Sequence, residues 1–273
     1  MAQVVTLSNA KHAETAALIC GWNPLLGAAA YKAHSLWFLG YPDRALAEID
    51  KAGEFARLHA TPYDRALTYA LTATYFTYSG NPQRSVQWCD AALEIAKESG
   101  FYHWTALATI LKGLAYCKLG QIGEGMGLIH EGVSLWKATG ADKAKPVFYA
   151  FEAEGWLLAK DGAAARAAID RGFALSQVTK DSYYDAELWR LRGQAAIGIT
   201  GKQKCLNNAF MLARSQKTKS LELRATTSLC RLWQKTGNEK EAKRMLAKIY
   251  GWFTEGFDTP DLKAAKQLLD DFS

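Results

Sequence analysis

The chain has 273 residues, 49% of them hydrophobic and 22% charged, with six prolines and no low-complexity tract, which excludes a disordered chain and allows a sizeable core. The formal charge of +6 is uneven: from Lys202 to Lys248 twelve Lys/Arg stand against Glu222, Glu239 and Glu241, an asymmetry that suits an acidic partner and permits nucleic acid. Cys20, Cys89, Cys117, Cys205 and Cys230 are scattered and odd in number, the first residues lack a basic-then-apolar signal, and no apolar run is of bilayer length. These features point away from a disulfide framework, a secretory leader or a membrane span and toward a reducing cytoplasm.

The predicted elements are helices in pairs. Residues 10–21 read as the second helix of a pair whose first member is missing, leaving Ala16, Ala17, Leu18 and Ile19 as an apolar edge suited to a homodimer contact. Helical pairs follow at about 24–59, 63–98, 102–138, 145–178, 183–214 and 220–250, all within one domain, 1–273. Gly40, Gly80, Gly120, Gly162, Gly201 and Gly237 punctuate them at intervals of 40, 40, 42, 39 and 36. Each glycine is expected just past a helix C-terminus, where a left-handed residue ends the helix. Asn81 before Pro82 is expected to cap the helix that follows, and Asn238 with Glu241 to form a variant capping box. Thr259 before Pro260 is expected to start a capping helix at 259–271, with Leu262, Ala265, Leu268 and Leu269 on one stripe.

Small and large residues recur in register. Ala33, Ala73, Gly113, Ala153, Gly193 and Cys230 hold one place on the first helices. Leu36, Phe76, Tyr116, Trp156, Ala196 and Trp233 come three residues later, on the same side. On the second helices Ile49, Cys89, Ile129, Ile169, Leu206 and Leu246 recur, with Ala52, Ala92, Gly132, Gly172, Ala209 and Ile249 three residues on. This pattern predicts an all-α, tetratricopeptide-like superhelix of antiparallel pairs, its helices one to two turns longer than in a 34-residue repeat.

The segments LWFLGYPDRALAEIDKA, ATILKGLAYCKLGQIGEGMGLIHEGVSLWKATGA, YYDAELWRLRGQ, KSLELRATTSLCRLWQKTGN and YGWFTEGFDTPDLKAAKQLLD carry a more specific signal. Over residues 12–273 the chain resembles the C-terminal tetratricopeptide region of bacterial predicted ATPases, many of which carry an adenylate or guanylate cyclase-type domain. The resemblance implies a regulatory helical-repeat region that associates with an ATPase or nucleotide cyclase domain. Those catalytic domains have no counterpart in this sequence: Gly201-Lys202 is followed by Gln203, and no phosphate-cradling G-x-x-x-x-G-K-[ST] loop occurs. The chain is read as the repeat region alone, cut from a longer protein or encoded separately, and not as an enzyme.

The sequence carries no catalytic or metal-binding motif. His12, His34, His59, His103 and His130 are isolated, with no metal-ligand spacing, no H-E-x-x-H and no G-x-S-x-G. Glu152 with Glu154, and Asp181 with Asp185, are close carboxylates, but i and i+2 residues of a helix point apart, which disfavours a catalytic dyad. No cofactor and no metal is expected. The basic stretch brings no nucleic-acid-reading motif, which disfavours nucleic acid. The tryptophans read mostly as core, with Trp37, beside His34, as the exception.

The expected function is therefore binding. In tetratricopeptide arrays the first helices line the concave face, which here gives His34, Trp37, Tyr78, Glu154, Arg190, Gln194, Arg224, Arg231 and Lys235, with Thr74, Thr77, Leu114 and Thr227 among them. The aromatic first half and the arginine-rich second half predict a groove for a peptide or domain partner with an acidic segment, since guanidinium forks match carboxylates. Two competing expectations stand beside it. The arginines could instead satisfy Glu154, Glu187 and Glu222 internally, and the array could sense a small metabolite on behalf of an ATPase or cyclase.

Overall fold

A computed structural model describes residues 22–141 and 145–272; the expected helix at 10–21 and its apolar edge lie outside the described residues. Among those described there are thirteen α-helices and no strand. They are α1 (Pro24–Leu39), α2 (Pro42–His59), α3 (Pro62–Tyr78), α4 (Pro82–Glu98), α5 (Tyr102–Lys118), α6 (Ile122–Ala138) and α7 (Lys145–Leu158). After these come α8 (Gly162–Thr179), α9 (Asp185–Ala195), α10 (Ile199–Ser215), α11 (Lys219–Gln234), α12 (Glu239–Tyr250) and α13 (Pro260–Asp271). The fold class read from the periodicity is the one observed: antiparallel helix pairs with short turns. The described residues divide into two compact units, 22–37 with Pro42–Ala141, and Phe38–Tyr41 with 145–272.

The turns explain the spacing. Gly80, Gly100, Gly120 and Gly140 have φ of 77°, 70°, 91° and 73°, and the series continues with Lys160 (62°), Lys180 (59°), Gly198 (77°), Lys217 (58°), Gly237 (85°) and Gly256 (77°). A left-handed residue thus lies at most of the reversals, after first and second helices alike, with Gly198 and Gly256 inside the connections after α9 and α12. Two expected turn glycines fall elsewhere. Gly162 opens α8, because Asp161 Oδ1 accepts the Ala164 N–H at 2.9 Å and fixes the helix start there. The left-handed residue is then Lys160. Gly201 lies inside α10, because α9 stops at Ala195, Ala196 is extended, and Gly198 makes the reversal.

Caps vary. Asn81 Oδ1 accepts the Arg84 N–H at 3.1 Å with Pro82 first in α4, and Thr61 Oγ1 accepts the Asp64 N–H at 3.2 Å. Asn238 makes no side-chain cap, and Glu241 does not reach back to it: Arg244 holds Glu241 through two hydrogen bonds of 2.9 and 2.7 Å. Thr259 likewise makes no side-chain cap; its hydroxyl donates to the Gly256 carbonyl at 2.7 Å, and Pro260 starts α13.

In the first unit, α5 and α6 approach most closely where both lack side chains. A Cβ on Gly113 would lie 2.6 Å from the Gly125 carbonyl oxygen, and one on Gly132 would lie 2.8 Å from the Ile110 nitrogen. The repeating small residues are buried as a set, Ala33, Ala73, Ala153 and Cys230 each at 0% exposure, because backbones can meet only where side chains are short. Helix α3 is buried on every side from Ala66 to Tyr78. Its threonines return their hydroxyl protons to the preceding turn, Thr72 to Thr68 O, Thr74 to Ala70 O and Thr77 to Ala73 O at 2.8–3.0 Å, so polar side chains sit in an apolar setting at little cost.

In the second unit, α11, α12 and α13 share a core of Leu223, Cys230, Ala242, Leu246, Ile249, Phe253, Leu262, Ala265 and Leu268. Leu262, Ala265 and Leu268 are the apolar stripe of α13, buried against its neighbours, with Leu269 partly buried beside them.

Candidate functional site

The nine residues read as groove-lining fall into three groups. His34, Trp37 and Tyr78 belong to the first unit and are buried, at 7%, 2% and 4% exposure. Helix α1 places His34 and Trp37 on one side, and the end of α3 brings Tyr78 to both: Trp37 stacks on Tyr78 at 5.5 Å, and His34 meets it edge-on at 5.6 Å. His34 Nε2 donates to the Leu71 carbonyl at 2.8 Å. A carbonyl only accepts, so Nε2 carries the proton, and burial pushes the imidazole pKa down to about 4 despite that bond. This cluster is a closed, neutral packing unit. Thr74, Thr77 and Leu114 are buried as well.

Glu154, Arg190 and Arg224 form the second group. Arg190 grips Glu187, three residues before it on α9, through Nε–Oε2 at 2.9 Å and Nη2–Oε1 at 2.7 Å. Arg224 on α11 reaches Glu187 at 3.8 Å and donates from Nε to Asp261 of α13 at 2.8 Å. Glu187 is 3% exposed. Burial works against both guanidinium charges, but the carboxylates outweigh it and raise both pKa values: Glu187 and then Glu154 for Arg190, Asp261, Glu187 and Glu154 for Arg224. The internal pairing of Arg190 and Arg224 with glutamate is therefore present, and Asp261 joins it. Sequence spacing gave no sign of Asp261, which is 37 residues from Arg224.

Gln194, Arg231 and Lys235 make up the third group, and all three are exposed. Gln194 lies one turn beyond Arg190 on α9. Arg224 and Arg231 stand at i and i+7 on α11, and Lys235, its C-cap, follows at i+11 to continue the stripe. The stripe is closed by carboxylates at its beginning and open at its end.

Two recesses escaped the sequence reading. In the first unit Tyr63, Phe101, Tyr102, His103, Trp104, Leu135, Ala138 and Thr139 line a cleft of about 700 Å³. His103 lies 4.0 Å from the Trp136 ring, and burial lowers its pKa. The Trp104 indole N–H is buried without a hydrogen-bond partner. The signal for this cleft was the unbroken aromatic run Phe101–Trp104 directly after Gly100. In the second unit a channel of about 490 Å³ runs between α10 and α12 over Trp233 of α11. Its signal was a 34-residue offset that pairs Phe210 with Arg244, Met211 with Met245, and Arg214 with Lys248.

Among the described residues no group of three His, Cys, Asp or Glu is placed to hold a metal ion, and no helix is long and apolar enough to cross a membrane.

Solved structures with this arrangement exist. The apo form of RapI matches with a TM-score of 0.62 over 90% of this chain and 83% of that one, at 13% identity. A signal-transduction ATPase with numerous domains and a tetratricopeptide repeat sensor, from Pyrococcus horikoshii, matches with a TM-score of 0.50 over 91% of this chain but 38% of that one, at 16% identity. At such identities the likeness fixes the fold: an all-α array of tetratricopeptide-like helix pairs. No protein-family model matches the sequence, and no curated protein matches it.

Proposed function

We propose that this chain is a regulatory helical-repeat module that binds an acidic peptide or domain partner on the first-helix face of its second unit. The observation that carries this is the α9–α11 surface. There Arg190 and Arg224 are locked onto Glu187 and Asp261, while Gln194, Arg231 and Lys235 stand exposed beside them. A rigid, already neutralised base leaves the outer cations free to meet carboxylates without first breaking an internal pair. His34, Trp37 and Tyr78 support the first unit from inside rather than touching a partner. The work is done without catalysis, in the cytoplasm of a bacterial signalling system, in association with an ATPase or nucleotide cyclase domain. The P. horikoshii protein, in which a tetratricopeptide repeat sensor accompanies an ATPase, supports that setting.

The test is calorimetry with extended, proline-containing peptides of high and zero Asp/Glu content. The acidic peptide binds, and the Arg231→Glu/Lys235→Glu variant loses about tenfold in affinity, near 1.4 kcal/mol. Equal affinity of variant and parent would remove the reading.

The aromatic cleft of the first unit supports a second reading, metabolite sensing. Its size suits a small ligand and its walls are rings. Thermal-shift screening with uncharged aromatic metabolites would yield a hit that the exposed Tyr102→Ala change abolishes. No hit shared by parent protein and lost in that variant would end this alternative.

A further inference from the structure

We infer that the channel between α10 and α12 is a docking site for an acidic amphipathic helix of a protein partner. It is walled by second helices, so it is separate from the α9–α11 face and does not depend on it. On α10 the channel takes Asn207, Phe210, Met211 and Arg214; on α12 it takes Glu241, Arg244, Met245 and Lys248. Both sets are spaced i, i+3, i+4, i+7, so each helix turns a two-turn stripe toward the channel. At 1.5 Å per residue that stripe is about 10 Å long, the length of two turns of an incoming helix.

The chemistry along the channel is graded. Its middle is apolar: Phe210, Met211 at 62% exposure, Met245, and Trp233 as the floor. Methionines are unbranched and polarisable, and they conform to an incoming apolar face. Its cations include Arg214 and Lys248, the last lining residue of each helix, near the C-termini of α10 and α12. Arg214 lies over the Phe210 ring at 5.2 Å and 3.7 Å from Glu222, with its side chain 54% exposed; Lys248 is exposed. The one carboxylate in the lining, Glu241, is held by Arg244. Positive charge therefore dominates the rim, within a stretch from Lys202 to Lys248 that carries twelve Lys/Arg against three acids. The Trp233 indole N–H is buried and has no hydrogen-bond partner.

An apolar trough with a basic end fits a helix whose leucine-type residues recur at i, i+3, i+4 and i+7 and whose Asp/Glu residues lie toward Arg214 and Lys248. Nucleic acid fits poorly, because Phe210, Met211 and Met245 would face phosphates. A second copy of this chain would bring the same cationic rim against itself.

The experiment uses the full chain and three fluorescent 16-residue helices that share one apolar face and carry Glu, Gln or Lys on the other, read by anisotropy. The Glu helix binds at least about tenfold more tightly than the Gln helix, the Lys helix binds weakest, and Met211→Glu/Lys248→Glu cuts affinity for the Glu helix by about tenfold or more. Both changed positions are judged against an unchanged melting temperature and against Arg231→Glu/Lys235→Glu, which leaves this affinity intact. Absence of binding up to about 1 mM, equal affinity for the Glu and Lys helices, or indifference to Met211→Glu/Lys248→Glu overturns the proposal. So does a single-stranded oligonucleotide that binds more tightly than the Glu helix, or sedimentation as a dimer that Met211→Glu dissolves.

Discussion

His34 donates its one imidazole proton to the Leu71 carbonyl and is walled by Tyr31 and Tyr78. Its pKa falls to about 4 in the folded chain, against about 6.5 for the free side chain. Below pH 6.5 the unfolded chain takes up a proton that the folded chain refuses, so stability is full above pH 6.5 and is lost as pH falls toward 4. Urea unfolding at pH 7 and pH 5 should differ by about 2 kcal/mol more in the parent protein than in His34→Leu. Three lysines give a second residue-scale test. Lys160, Lys180 and Lys217 occupy left-handed backbone conformations that disfavour a side chain with a Cβ. Lys180→Gly and Lys217→Gly should each raise stability by about 0.5–1 kcal/mol, seen as a higher melting temperature. These positions explain why the glycine series in the sequence fades after Gly120: the turns continue, but lysine fills three of them. The backbone requirement persists while its letter changes, so spacing of glycines alone misplaces the turns near 162 and 201.

Helix pairs hold together where backbones touch. The α5–α6 contact leaves no room for a Cβ at Gly113 or Gly132, and the obstructing atoms at each include backbone. Gly113→Ala and Gly132→Ala should each destabilise the chain by about 1–3 kcal/mol in denaturant unfolding, the reverse of the gain alanine normally brings to a helix. The terminal helix α13 is held by its apolar stripe and by Asp261, which accepts from Arg224. Asp261→Asn removes the charge from a nearly buried guanidinium and should cost about 1–3 kcal/mol. Its signature is local: amide exchange in 260–271 accelerates more than in α12. The core of these elements was legible in the sequence, because Ala33, Ala73, Gly113 and their counterparts recur at fixed register and register decides burial. The ion pairs were not. Arg190, Arg224 and Glu187 could be placed on the right helices, but which carboxylate each guanidinium reaches depends on how α9, α11 and α13 pack.

For the molecule as a whole, sequence and structure agree on class and differ on where a partner could touch. Register assigns a residue to the first-helix side; it does not tell whether neighbouring helices leave that side open. His34, Trp37 and Tyr78, assigned to that side by register, are buried, whereas Gln194, Arg231 and Lys235, assigned to it in the same way, are exposed. The aromatic cleft and the α10–α12 channel are made by residues from several helices, each unremarkable in its own segment. The central claim beneath all of these is that the chain is a succession of antiparallel helical hairpins reversed by left-handed residues about every twenty positions. Hydrogen exchange resolved to short peptides tests it most directly. The account predicts slow-exchanging blocks that match α3 through α12, separated by fast amides around residues 80, 100, 120, 140, 160, 180, 198, 217 and 237. Continuous protection across several of those reversals, or fast exchange through the middle of α3, α5 or α11, would contradict it.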